Sequence, residues 1–230
     1  MPGSVHAGHR QRMKEEYLSH GLAGVPEHKA LELLLFYAIP QGDVNGLAHR
    51  LIDRFGSLAG VLDAPIEELT KVPGVGTHTA ILLNLIPAMG GKYLLSRSTV
   101  EKDDVIDTSV AARRLLAPYF FGARNEQIYL VCLDAKLKLL GVRKLSEGIV
   151  SLSEIVNRKV LEHALSLNAA VVLLAHNHPS GIARPSDADK LTTGRLKKLL
   201  SDVDIELRDH LIFVDEDMVS MRDSGLMGAL

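Results

Sequence analysis

Two histidines, a serine and an aspartate in the stretch LLAHNHPSGIARPSDAD, residues 173 to 189, have the types and the spacing to do chemistry. His176 and His178 are two apart, and an extended strand points such residues to one side, so their imidazoles can converge on one ion. Asp189 falls in the first turn of a helix opening after Pro185 and can add a carboxylate oxygen. Two imidazoles and a carboxylate suit zinc. Three protein ligands leave a fourth position for water, the pattern of a catalytic rather than a structural site. Zinc there would bring the pKa of water towards about 7 and act as a Lewis acid on a carbonyl. A plainer alternative stands beside this one: a polar loop followed by a helix cap, with Ser186 and Asp189 at capping-box spacing.

Either reading depends on the elements that carry these residues. AAVVLLAH (169–176) is small, β-branched and apolar on both faces, which predicts a central strand. Pro179 ends it, since proline cannot donate to a ladder, and Gly181 lets the chain turn back. SDADKLTTGRLKKLLSDV then reads as a helix. SVAARRLLAPYF reads as another, and so does SEIVNRKVLEHALSL, opened by Ser151 with Glu154 three residues on. QIYLVCLD, KLKLLGVRKL, EGIVSL, IELRDHLIFVD and MVSMRD read as short strands. Strands alternating with helices predict an α/β layered domain over residues 108–230. Cys132, inside QIYLVCLD, reads as a small core residue. As the single cysteine it excludes an internal disulfide and a multi-cysteine zinc site.

Upstream the texture is helical. EHKALELLLFYAI, VNGLAHRLIDRF, PIEELTKV and THTAILLNLIPAM carry apolar residues at helical spacing, with Pro65 at a first helical position. Breaks fall at Pro40-Gln41-Gly42, at Gly56 and at Pro73-Gly74. SRSTVEKDDVID lacks either periodicity, so residues 98–107 read as a linker after a helical domain, 1–97. The 230 residues, 47% hydrophobic and 23% charged, are ordinary for a soluble globular protein. A net charge of −2 sets up no global field for nucleic acid. No apolar run is long enough to span a membrane. The start, MPGSVHAGHRQRMKEE, is no signal peptide, and the expected location is cytoplasmic.

The whole string, His-x-His-x7-Ser-x2-Asp, fits the JAMM (MPN-plus) zinc metalloprotease motif at every spacing. HNHPSG, LRDHLIF and MVSMRD further resemble the RadC family of bacterial proteins. GHRQRM, LELLLFYAI and DVNGLAHRL resemble that family's amino-terminal region, so the likeness spans nearly the whole chain. It implies an all-α helix-hairpin-helix domain followed by a cytidine-deaminase-like α/β/α domain with a mixed sheet. It also implies a peptidase or isopeptidase with one Zn2+ per chain on His176, His178 and Asp189, and a glutamate as general base. Glu126, just before QIYLVCLD, fits that base; Glu147 is the runner-up, and Glu154 looks committed to a helix start. Ser186 would donate to the developing oxyanion, a contribution of roughly 3–4 kcal/mol. Asn177 and Ser180 can shape the pocket without doing chemistry. His210 reads equally as a support or substrate contact and as a structural residue at a strand entrance.

Val72-Pro73-Gly74-Val75-Gly76, between two helices, resembles the hairpin of a helix-hairpin-helix module. Backbone N–H groups at Gly74 and Gly76, at a helix start, suit a DNA phosphate, and Lys71 and Thr77 join them as candidate contacts. Lys and Arg only equal Asp and Glu in number over this domain, and no second basic residue follows the hairpin. The alternative is a structural hairpin docking on the second domain or on a protein. Two further functions compete with a peptidase. One is a DNA-binding repair or recombination accessory protein with a structural zinc. The other is a metal-dependent nuclease, with Arg184, Lys190 and Arg195 near the site. The His-Glu-x-x-His helix and the zinc-deaminase signature are absent. The expected partners are a protein or peptide substrate and DNA at the hairpin, with no membrane.

Overall fold

The structure, a computed structural model, describes residues 8–97, 104–148, 154–179, 181–214 and 217–229. The chain forms two compact units that divide between Met89 and Gly90. Among the described residues no helix is long and apolar enough to cross a membrane.

The first unit is helical: α1 (His9–His20), α2 (Glu27–Ala38), α3 (Asn45–Phe55), α4 (Leu58–Asp63), α5 (Ile66–Leu69) and the beginning of α6 (Thr77–Arg97). Leu31, Leu35, Leu47, Leu51, Leu69 and Leu83, at helical spacing, close one core. Gly56 ends α3 in the left-handed conformation, its N–H donating to the Ile52 carbonyl at 2.7 Å. Ser57 then caps α4, accepting from the Gly60 N–H at 3.0 Å. Pro65 stands one position before α5 as its cap, where the sequence placed it inside. Residues at α1 are mostly polar, and α1 is held by polar contacts. Arg10 Nη2 donates to the carbonyls of Ile39 (2.9 Å) and Gly42 (2.7 Å), beyond the end of α2. His9 meets the fully buried Glu32, which also accepts from Asn45.

The second unit contains α7 (Ser109–Phe120), β1 (Gln127–Leu133), β2 (Leu139–Glu147), α8 (Glu154–Ser166), β3 (Val171–Asn177), α9 (Asp187–Ser201), β4 (Glu206–Val214) and β5 (Asp217–Ser220). Sheet order is β2-β1-β3-β4-β5, with β3 and β4 parallel and the other neighbours antiparallel. Alternation sorts the strands into two cores. Ile128, Leu130, Cys132, Val172 and Leu174 pack with Val160 and Ala164 of α8 and Leu196 and Leu200 of α9. Tyr129, Val131, Leu133, Leu173 and Ala175 pack against Ala112, Leu115, Leu116 and Phe120 of α7. The result is the expected α/β/α layering, with β3 at the centre. Burial pushes the Cys132 thiol up to about 11, as befits a core residue.

The expected linker is corrected in its second half. Residues 98–103 lie outside the described residues, but Ile106 is buried and donates its N–H to the Leu137 carbonyl at 2.8 Å. Val105 bridges Lys138, and Leu139 donates to the Asp104 carbonyl at 2.8 Å. An apolar Val-Ile pair inside a charged stretch seats that segment beside β2. Most of EGIVSL and the Ser151 cap of α8 lie outside the described residues.

Candidate metal centre

The parallel pair β3 and β4 is joined through α9, and the candidate site sits where β3 ends and α9 begins. His176 continues the face of Val172 and Leu174, towards α9, and is 1% exposed. His178 lies just past β3, its N–H donating to the Phe213 carbonyl at 2.8 Å, which keeps it on the same side. Pro179 and Gly181 (φ +82°) turn the chain, and the Gly181 N–H donates to the His178 carbonyl. Ser180 lies outside the described residues. Ser186 caps α9 in a full capping box: it accepts from the Asp189 N–H at 3.1 Å, and its N–H and hydroxyl donate to Asp189 Oδ2 at 2.7 and 2.6 Å. The cap and the candidate ligand set are therefore one arrangement. The capping box aims the Asp189 carboxylate at the histidines.

Asp189 Oδ1 stands 3.3 Å from His176 Nε2, and Oδ2 stands 3.4 Å from His178 Nε2. The two Nε2 atoms are 2.8 Å apart. One ligand atom from each residue lies within 4.8 Å of the others. Burial drives the His176 imidazole down to about 4, with the charge of His178 adding and that of Asp189 opposing. A neutral imidazole is the state in which a histidine ligates a metal. This donor set fits a divalent ion of borderline softness, as zinc is.

Glu126 precedes β1, two residues before Ile128, which pairs with His176. Burial raises its carboxyl above the ordinary glutamate value; His178 pulls it down, and Asp189 pushes it up. Those two influences put Glu126 within electrostatic reach of the triad. Glu147 differs: a hydrogen bond from Lys144 lowers its pKa, and its other partners are Gln127 and Asn125, outside the triad. Asn177 does more than shape a pocket. Its Oδ1 accepts from the Gln127 N–H at 2.7 Å and its Nδ2 donates to the Asn125 carbonyl at 3.1 Å, gripping the backbone on both sides of Glu126.

His210, with no exposed surface, touches no solvent-borne substrate. Its Nε2 is 2.8 Å from His176 Nδ1, and its Nδ1 is 2.7 Å from Thr193 Oγ1. Thr193 is a partner the sequence reading missed. The only signal in the sequence is a hydroxyl residue four after Asp189, on the same helix face. Asp209 is occupied elsewhere, its carboxylate taking the His210 and Arg222 N–H groups and the Ser220 hydroxyl.

At the hairpin, Gly74 adopts φ +97° and Thr77 opens α6. Val72 and Val75 are buried in the core of the first unit. The Lys71 ammonium is paired with Glu68, which also holds Arg54 at 3.0 Å. Of the basic residues near the histidines, Lys190 is paired with Asp187 at 2.8 Å.

A family model described as the RadC-like JAB domain matches residues 106–226. A UPF0758 protein of Ruegeria pomeroyi is 34% identical over 219 residues, covering 95% of this chain and 97% of its own length. Another from Rhodobacter capsulatus is 34% identical over 215 residues, covering 94% and 100%. A third, from Methylibium petroleiphilum, is 34% identical over 216 residues, covering 94% and 96%. With the domain match taking in the whole triad and the relatives running nearly end to end, the chain belongs to the RadC family.

Proposed function

We propose that the second unit is a zinc-dependent hydrolase that cleaves an amide bond, as a peptidase or isopeptidase. The observation that carries the reading is the convergence of His176, His178 and Asp189, with Glu126 within their electrostatic reach. An ion held there would supply Lewis acidity towards a scissile carbonyl and water of pKa near about 7. His176 and His178 would hold it through Nε2, and Asp189 through a carboxylate oxygen that Ser186 orients. Glu126 acts as general base and then acid: its carboxylate takes the proton of the attacking water and returns it to the leaving nitrogen as the C–N bond breaks. Partial burial, which favours its protonated form, suits that exchange. Ser186 is the oxyanion donor. Its proton now goes to Asp189 Oδ2, so the hydroxyl turns from the carboxylate to the substrate during the reaction.

The test is metal content by mass spectrometry, with hydrolysis of a panel of peptides and Lys-linked isopeptides. About one zinc per chain is expected in the wild type, and its loss in His176→Ala and Asp189→Ala. Glu126→Gln should keep zinc and lose at least about 100-fold in rate, the lower range of a general base. A wild type that takes up no zinc even when it is supplied would overturn the reading. A fully active Glu126→Gln would overturn the assignment of the base.

A further inference from the structure

We infer that Thr193 and His210 are positioning residues that fix the ring tautomer of His176 and so present its Nε2 lone pair to the ion. This rests on the reading that the triad binds a divalent cation.

The direction of every proton in the chain follows from its last acceptor. The Asp189 backbone carbonyl can only accept, and Thr193 Oγ1 stands 2.6 Å from it. A hydroxyl has one proton and two lone pairs. At that separation the proton must lie between the two oxygens, since two bare oxygens so close would repel. Met221 Sδ, at 3.7 Å from the same hydroxyl, is a weak acceptor and does not compete. Thr193 is then an acceptor towards its other neighbour, His210 Nδ1 at 2.7 Å, and that nitrogen carries the hydrogen. A neutral imidazole has one N–H, so His210 Nε2 is a lone pair. It faces His176 Nδ1 at 2.8 Å, and therefore His176 carries its hydrogen on Nδ1. What remains at His176 Nε2 is a lone pair pointing at the triad.

His178 reaches the same state by a shorter route. Its Nδ1 is 3.0 Å from the Ile182 carbonyl, which can only accept, so the hydrogen sits on Nδ1 and Nε2 is free. Two imidazole lone pairs thus face each other across 2.8 Å, with a carboxylate at 3.3 and 3.4 Å. Three electron-rich groups on one point repel unless a cation lies among them. Ligating histidines commonly donate their second nitrogen to a carboxylate or carbonyl. Here the acceptor is a second imidazole, with no exposed surface, and the ultimate anchor is the backbone of the third ligand. The side chain and the main chain of Asp189 serve the same centre.

The experiment uses the full chain labelled with 15N-histidine, in the metal-free form, and long-range 1H–15N correlation to read each tautomer. His176 and His210 should both be Nδ1–H. Zinc affinity is then measured by competition with a chelating dye. His210→Leu and Thr193→Val should weaken zinc about 10–100-fold, the range typical of such outer partners. His210→Gln, with one donor and one acceptor at similar reach, and Thr193→Ser should recover most of it. An Nε2–H tautomer at His176 in a wild type that binds zinc would overturn this inference and leave the metal reading intact. Equal zinc affinity in the Leu and Gln variants would do the same. A wild type with no affinity for zinc would overturn both.

Discussion

Asn177 fastens the strand end that carries the proposed base. It bonds the backbone at Gln127 and at Asn125, and so fixes the one residue between them. Misplacing a catalytic group by about 1 Å can cost about 100-fold. Asn177→Ala should therefore keep one zinc per chain while kcat falls by roughly 10–100-fold and KM changes little, on whichever substrate the panel yields. Asn177→Asp, which keeps the acceptor for Gln127 and loses the donor to Asn125, should fall between. Zinc stoichiometry and steady-state kinetics decide it. A kcat equal to wild type in the Ala variant would show that Glu126 is held by its other contact, the Gly148 N–H on its carbonyl at 2.8 Å. The candidate ligands were legible in the sequence because each obeys a local rule: strand alternation for His176 and His178, cap spacing for Asp189. For Asn177 the sequence offers only a pocket-shaping role, because its partners are 50 and 52 residues away. No local periodicity encodes such a bond.

At the scale of elements, the same contrast separates β3 from α1. The double-sided apolar run of β3 announced a central strand, and it lies at the middle of the sheet. The helices α2, α3 and α9 were legible from apolar residues at helical spacing. The first helix was not, because Met13 is its single buried hydrophobic residue. Its attachment comes instead from the guanidinium of Arg10 on the Ile39 and Gly42 carbonyls and over the Phe36 ring, and from His9 against Glu32. The carbonyls that follow α2 would otherwise lack a donor from the helix itself. Arg10→Ala should lower the free energy of opening α1 by about 1–3 kcal/mol, the range of hydrogen bonds to a charged group. Amide hydrogen exchange checks this: protection across residues 9–20 should drop by roughly 10–100-fold, with α3 unchanged. Undiminished protection in α1 would mean that Met13 and the His9–Glu32 contact suffice.

For the whole molecule, the division between units lies inside a helix, and this sets what can be cut. The sequence placed the start of the second domain at residue 108, after a polar stretch. The two units divide at Met89 and Gly90, and the last turns of α6 go with the second. The reason is visible at Gly90, where a Cβ would stand 2.6 Å from the Phe121 ring, so the helix lies directly on that ring. Ile106 likewise belongs to the core of the second unit, 2% exposed, in a segment that exchanges backbone bonds with Leu137 and Leu139. A fragment of residues 90–230 should therefore fold and show the zinc uptake proposed for the full chain. A fragment of 108–230 loses a buried isoleucine, for about 2–5 kcal/mol, and two backbone hydrogen bonds, for about 1 kcal/mol each. Its urea midpoint should fall accordingly, while a fragment of 104–230 should lie between the two. Matching midpoints for the 90–230 and 108–230 fragments would move the boundary back to where the polar stretch put it. The ordered series would instead assign the segment around Ile106 to the folded unit that carries the proposed metal ligands.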